Sequence, residues 1–444
     1  MRMKQRKRKM INLTPPQVLA LGFALVILLG TLLLKMPIST KAEITWMEAF
    51  FTAASATTVT GLSVIDIGTT LSVFGECVMI VMIQIGGLGL MTFAIFTLIL
   101  LGKRIGLKER LLMQESFNQT SIGGVIRLVK ILFIFTLAVE LAGTAILSLK
   151  WIPEYGAVRG LFYSLFHSVS AFNNAGFALF SDNLIGFSHD GLINLVISFL
   201  IITGGLGFTV FVDLSNKRNF KNLKLHSKIM LIGTLVLNVT AILLLFLLEY
   251  SNEATIGSLP LGEKLWVSYF QGIAPRTAGF NTVDIADMTN GSLLLIMLLM
   301  FIGAGSASTG SGIKVTTFVV IVWSVLGYIR GQKNPAMFER NIHQTVVIKS
   351  LAVTMIGLFF VFLTAFLLTI TEEAPMSVIL FESFSAFGTV GLSMGFTPDL
   401  SLVGRILIII LMFIGRIGPL TLAFSFARSK ESKIRYPEED IFIG

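Results

Sequence analysis

The sequence predicts an all-α polytopic membrane protein built from four pseudo-symmetric repeats of helix, pore helix, filter-like turn and helix around one central pore. Three observations lead there. Apolar residues make up 54% of the 444-residue chain and charged ones only 13%, against roughly 25% charged in an ordinary soluble domain. Eight apolar segments are long enough to cross a bilayer. Four shorter apolar stretches, at nearly even spacing, fall between them.

The eight spans are 17–36, 72–100, 126–149, 191–212, 229–249, 292–302 continuing to 313–329, 346–370 and 402–427. Each approaches the roughly 20 residues needed to cross about 30 Å of hydrocarbon, and only the sixth reads as interrupted. The basic run from Arg2 to Lys9 could open a signal peptide, but no small-x-small cleavage site follows Lys35-Met36-Pro37. Lys and Arg collect in alternate loops: six before residue 17, six in 101–130, five in 213–228, four in 330–349 and four in 428–435. The bias of basic residues toward the cytoplasm then puts both termini inside the cell, in a multi-pass protein of the cell membrane. The net charge of +9 reports this orientation, and no nucleic-acid partner is expected. The resulting organisation is a basic amino terminus 1–16, repeat one 17–100, a cytoplasmic loop 101–125, repeat two 126–212, a loop 213–228, repeat three 229–329, a loop 330–345, repeat four 346–427 and a cytoplasmic tail 428–444.

Within the repeats, the short stretches 47–57, 161–172, 265–274 and 378–387 have the length of re-entrant half-helices. Each runs into a polar turn: Thr58-Val59-Thr60-Gly61, Asn173-Asn174-Ala175-Gly176, Arg276-Thr277-Ala278-Gly279 and Gly388-Thr389-Val390-Gly391. The final glycines stand 115, 103 and 112 residues apart, a period that argues for internal repetition. Ala56, Ala171, Ala274 and Ala386 precede them by five residues, and Asp66, Asp182, Asp284 and Asp399 follow as loop or turn acids. A second column of small residues, 84–89, 203–207, 303–305 and 415–418, falls in the next span, and its Gly86, Gly87 and Gly89, with Gly204, Gly205 and Gly207, read as close helix packing.

Non-helical backbone at membrane depth is tolerated only inside protein or along a wet cavity. Glycine lets such backbone take positive φ, and carbonyls aimed at one axis can replace an ion's hydration shell. Half-helices whose carboxyl ends point inward add partial negative charge, with Glu48, Glu263 and Glu382 expected near their outer, amino-terminal ends. The site therefore reads as cation-selective.

The fourfold pattern, with TVTGL at 58–62 and GTVGL at 388–392, resembles the Trk/Ktr/HKT superfamily of potassium transporters over nearly the whole chain, and most of all the Ktr type of membrane subunit. The resemblance implies a potassium-channel-like plan. The sixteen residues Thr58 to Gly61, Asn173 to Gly176, Arg276 to Gly279 and Gly388 to Gly391 would form its selectivity filter. It further implies potassium as substrate, frequent sodium dependence, no covalent cofactor, a homodimer in membrane lipid, and a cytosolic ring of nucleotide-binding RCK/KTN subunits of the KtrA kind, through which alone nucleotide would act. Gly61, where some sodium-conducting plant relatives carry serine, favours potassium.

The interrupted sixth span carries Gly303, Ala304, Gly305, Ser306, Ala307, Ser308, Thr309, Gly310, Ser311 and Gly312. Four glycines make it a poor helix, and its lysine, Lys314, is misplaced for a phosphate-binding loop. It is expected to be an easily moved intramembrane gate restrained by Arg416, a cation inside an apolar span. Arg276 is expected to point backwards into protein, toward an acid or carbonyls. The four histidines are too scattered for a metal set, and no nucleophile with its base is visible, so no enzyme is expected. With one broken span and few buried ionisable residues (Glu76, Glu140, Lys314, Arg416), a gated pore is favoured over a potassium/sodium symporter or a sodium-conducting relative. The tail 429–444 is a candidate dimer contact.

Overall fold

A computed structural model describes residues 15–89, 92, 125–217, 219–332, 335–419 and 439. Helices begin where a short polar side chain can occupy the first unpaired backbone N–H groups. Thr45 and Glu48 form a reciprocal capping box, Asp66, Ser72, Asp190, Thr289 and Ser401 cap five further helices, and breaks fall at glycine or proline.

The order is α1 Pro15–Leu34, α2 Trp46–Thr58, α3 Ile67–Thr70, α4 Val73–Leu88, α5 Val125–Tyr155, α6 Ala157–Phe172, α7 Gly191–Leu206, α8 Phe208–Asn216, α9 Leu225–Glu249, α10 Leu261–Ile273, α11 Asn290–Phe301, α12 Val315–Ile329, a hairpin of β1 Ala336–Met337 and β2 Arg340–Asn341, α13 Gln344–Thr371, α14 Met376–Gly388 and α15 Leu402–Ile417. Among the described residues, four helices (α1, α5, α9, α13) are long and apolar enough to cross a membrane, or five if the bent pair α7–α8 counts as one.

These four bury only 28–33% of their most apolar windows; Leu25, Ile134, Leu235, Leu247, Phe359 and Phe366 point outward. The interior is made instead by the shorter helices, whose faces are small and polar: Ala53, Ala54, Ser55 and Thr57 on α2 are fully buried, as are Ser168 and Ser170 on α6 and Ser383 and Ser385 on α14. At 13 to 16 residues and about 1.5 Å per residue, α2, α6, α10 and α14 are too short to cross. Each packs against a long helix before it, and each also packs against the inner helix of the preceding set: α6 on α4, α10 on α7, α14 on α11, and α2 on α15. The last of these joins the two ends of the chain and closes the arrangement into a cycle.

Three expectations need correction. The span 191–212 is not continuous, because α7 and α8 meet at 87° with Gly207 between them at φ +96°. Hydropathy sees only an unbroken apolar run, while the backbone turns where no Cβ opposes it. Gly89 and Gly418 take nearly the same conformation, so the third glycine of this motif ends a helix, although Gly86, Gly204 and Gly415 do pack closely. A Cβ there would strike the carbonyls of Thr57, Phe172 and Phe387 respectively. Glu48 and Glu263 lie in the first turns of α2 and α10, but Glu382 sits well inside α14 and is completely buried. Residues 1–14 of the amino terminus, 101–124 of the first loop and the tail 429–444 apart from residue 439 lie outside the described residues.

Candidate functional site

The half-length helices end in left-handed residues. Val59, Asn174, Thr277 and Thr389 have φ of +59°, +59°, +66° and +47°; two residues on, Gly61, Gly176, Gly279 and Gly391 have φ of +95°, +69°, +73° and +96°. A β-branched residue in this region is strained, so local packing must hold it there. Part of that hold comes from serines six positions before the glycines. Thr60 N, Ala175 N and Val390 N donate to the carbonyls of Ser55, Ser170 and Ser385 at 2.8 to 2.9 Å, and Gly61 N and Gly391 N donate to the hydroxyls of Ser55 and Ser385 at 3.2 and 3.1 Å. The third segment has Ile273 at that place, and Ala278 N donates instead to Ala274 O. The serines escaped the sequence comparison because the alanine column beside them is complete and theirs is not.

The four glycines face one another. A Cβ on Gly61 would stand 2.6 Å from Ala175 O and 3.2 Å from Gly176 Cα; one on Gly176, 2.7 Å from Gly279 Cα; one on Gly279, 3.3 Å from Gly391 Cα and against Val390 O; one on Gly391, 2.9 Å from Gly61 Cα and against Thr60 O. The sequence of approaches returns to its start, so the segments form a closed ring. Among the described residues, no hydrogen bond is accepted by the carbonyls of Val59, Thr60, Asn174, Ala175, Thr277, Ala278, Thr389 or Val390, although all eight residues are buried. Buried carbonyls are otherwise nearly always paired.

Side chains at the start of the first three turns bond back into protein. Arg276 donates to Asn238 Oδ1 at 2.6 Å and reaches Thr234 at 3.5 Å; its partners are an amide, a carbonyl and a hydroxyl rather than an acid. Asn173 donates to Gln84 and Glu140. Thr58 and Thr60 share a hydroxyl contact of 2.8 Å. Of the acids after the glycines, Asp66, Asp182 and Asp284 accept nearby backbone N–H groups and Asp399 lies in a 3-10 turn, so all four are turn residues.

Beneath the ring lies 303–312. Arg416 donates to Thr309 O and, at 3.1 Å, to Ser311 Oγ with one nitrogen, and to the carbonyls of Gly86 and Gly87 with the other. The segment is not loosely held, as its glycines suggested. Gly305 N donates to Gly205 O at 2.8 Å, Thr309 N to Gly204 O at 3.2 Å, Lys314 Nζ to Gly310 O at 2.8 Å, and Thr309 Oγ1 lies 2.9 Å from Asn174 Oδ1. Glycine lowers helix propensity without preventing other bonds.

This geometry, a cycle of half-length helices with unpaired carbonyls at its centre, accompanies a match to the TrkH cation transport protein family over residues 14–435. The chain belongs to that family. It is 57% identical to the Ktr system potassium uptake protein B of Bacillus subtilis, over 98% of both chains. It is 42% identical to the protein of the same description from Vibrio alginolyticus, over 97% of this chain and 95% of the relative. The potassium/sodium uptake protein NtpJ of Enterococcus hirae is 38% identical over 100% and 99%. The crystal structure of the potassium transporter TrkH from Vibrio parahaemolyticus has the same fold, with a TM-score of 0.74 at 19% identity, covering 96% of this chain and 87% of the other. The family is one of membrane transporters, not enzymes.

Proposed function

We propose that the chain is a potassium uptake protein whose four sets of helices are repeats around one pore, with Thr58 to Gly61, Asn173 to Gly176, Arg276 to Gly279 and Gly388 to Gly391 as the filter. One observation carries this reading: four glycines closed into a ring, with buried carbonyls beside them that no protein group satisfies. A partly dehydrated monovalent cation is the partner such carbonyls lack, because each oxygen can replace one water of its shell. The half-helix carboxyl ends add partial negative charge on the same side.

Below the filter, 303–312 and Arg416 act as the gate. A guanidinium presents five donors in a fixed fork, and here two of its nitrogens tie the segment to Gly86 and Gly87 while its charge opposes a cation in transit. Opening requires breaking several bonds together, which suits control by an external input. A second component, which the Ktr-system names of the relatives imply, supplies that input; a cytosolic nucleotide-binding ring at the basic loops fits that place, in a homodimer with both termini cytoplasmic. Sodium acts as an activator. A second reading, coupled potassium/sodium transport, gains weight from the additional break at Gly207, because repeated broken spans are a mark of alternating access, and from the name of the Enterococcus relative.

Purified protein in liposomes should carry potassium down its gradient and exclude sodium, and G61S should lose much of that discrimination at normal expression. A G61S protein that keeps wild-type selectivity would overturn the filter assignment. A reversal potential that follows the sodium gradient as well as the potassium gradient would favour coupled transport.

A further inference from the structure

Of the buried carboxylates that the pore and gate leave unused (Glu76, Glu140, Asp213, Glu249 and Glu382), Glu140 bonds to a residue of the glycine segments, Asn173. Glu140 lies midway along α5 and is 3% exposed, in a span where ionisable side chains are rare and expensive. Its Oε1 accepts from Asn173 Nδ2 at 3.0 Å and its Oε2 from Gln84 Nε2 at 3.2 Å. Asn173 Nδ2 also lies 2.8 Å from Gln84 Oε1. Asn173 Nδ2 further lies 2.9 Å from Val169 O, so its two hydrogens are shared among three acceptors, of which Glu140 is the farthest. Among the described residues no cation bonds to it, and its polar partners are the amides of Gln84 and Asn173.

The adjacent segment provides an internal comparison. Asn173 and Arg276 each stand three residues before their ring glycine, and each reaches back to the long helix of its own set. In the third set the long helix offers Asn238, a neutral amide, and that suffices to hold Arg276. The second set places an ionisable carboxyl group there, although an amide could have accepted the same bond. The carbonyl of Glu140 is engaged too, by Ser168 Oγ of α6 at 2.7 Å, so this point of α5 is fixed to the half-helix whose end Asn173 forms.

We propose that Glu140 is a positioning residue of the ion path. Its carboxylate orients Asn173 at the start of the second glycine segment, and its unneutralised charge sets how tightly the carbonyls beyond hold a potassium ion. The inference rests on reading the glycine ring as the ion path.

The test compares potassium flux against potassium concentration for wild type, E140Q and Glu140→Asp in proteoliposomes, with insertion checked by size exclusion. E140Q can keep a hydrogen bond to Asn173 without the charge. It should raise the half-saturating potassium concentration roughly tenfold, the size expected for a unit charge about 12 Å away at an effective dielectric near 20, while the maximal rate stays within about twofold. Glu140→Asp, which restores the charge, should recover most of the affinity; a purely structural brace would be better served by Gln. An unchanged half-saturation in E140Q, or an Asp variant as impaired as the Gln one, overturns the proposal while leaving the ion path intact. If E140Q fails to insert, Asn173→Leu tests the same link with the carboxylate in place: selectivity for potassium over sodium must fall, and unchanged selectivity overturns the inference. A folded wild type that carries no potassium overturns the ion-path reading itself, and this inference with it.

Discussion

Gly391 and Gly395 have similar backbone, with φ of +96° and +82°, but different surroundings. A Cβ on Gly391 would meet Thr60 O and the Cα of Gly61, whereas one on Gly395 would meet nothing within 4 Å. Gly395→Ala should therefore cost only the backbone penalty, about 1 kcal/mol, and leave flux as it was. Gly391→Ala must displace the neighbouring corner of the ring and should lose most of its flux at unchanged expression. Thermal melting of both proteins, with flux measured on each, checks the contrast; equal flux would mean the ring is not the ion path. At this scale the glycines were legible because a period of repetition exposed them. The left-handed Val59, Thr277 and Thr389 were not, since nothing in a β-branched residue announces a conformation it normally avoids, and tertiary bonds impose it.

Among elements, the segment 303–312 shows how composition can mislead about motion. Its glycines exclude a stable helix, as the sequence indicated, yet Gly204, Gly205, Asn174 and Arg416 all bond to it. Thr309 matters most, because its carbonyl accepts from Arg416 while its hydroxyl approaches Asn174 of the second glycine segment. The loop and the glycine ring are joined there, a link that glycine content alone does not announce. Thr309→Val, nearly isosteric but without the hydroxyl, should raise basal potassium flux several-fold and weaken potassium over sodium selectivity together; R416S should raise flux without that loss. Liposome flux in both cations measures the two effects, and a Thr309→Val protein altered in neither would separate the loop from the filter. Hydropathy located every long helix, but the bend at Gly207 and the interior position of Glu382 depend on φ and on packing, to which hydropathy is blind.

For the whole molecule, the cycle closed by α2 on α15 was legible from four short apolar stretches at nearly constant period, since stretches too short to cross must bury their ends against one another. Orientation and partners rest on charge in loops that have no counterpart in the packed interior. If the ring within one chain is a complete pore, a tandem fusion of a wild-type chain to a Gly391→Ala chain should retain about half the flux of a fully wild-type fusion, because each member of a pair conducts by itself. Complete loss in that fusion would mean the path is shared between chains. Enclosure by a single polypeptide also has a genetic consequence. In an assembly of four identical subunits one codon change strikes all four corners at once, whereas here it alters one corner and spares three. If the ring is the ion path, ion preference can shift by quarter steps, each small enough to survive selection, and the four corners are free to diverge. Arg276, which has Thr58, Asn173 and Gly388 as its counterparts, is the kind of difference that such a history leaves behind.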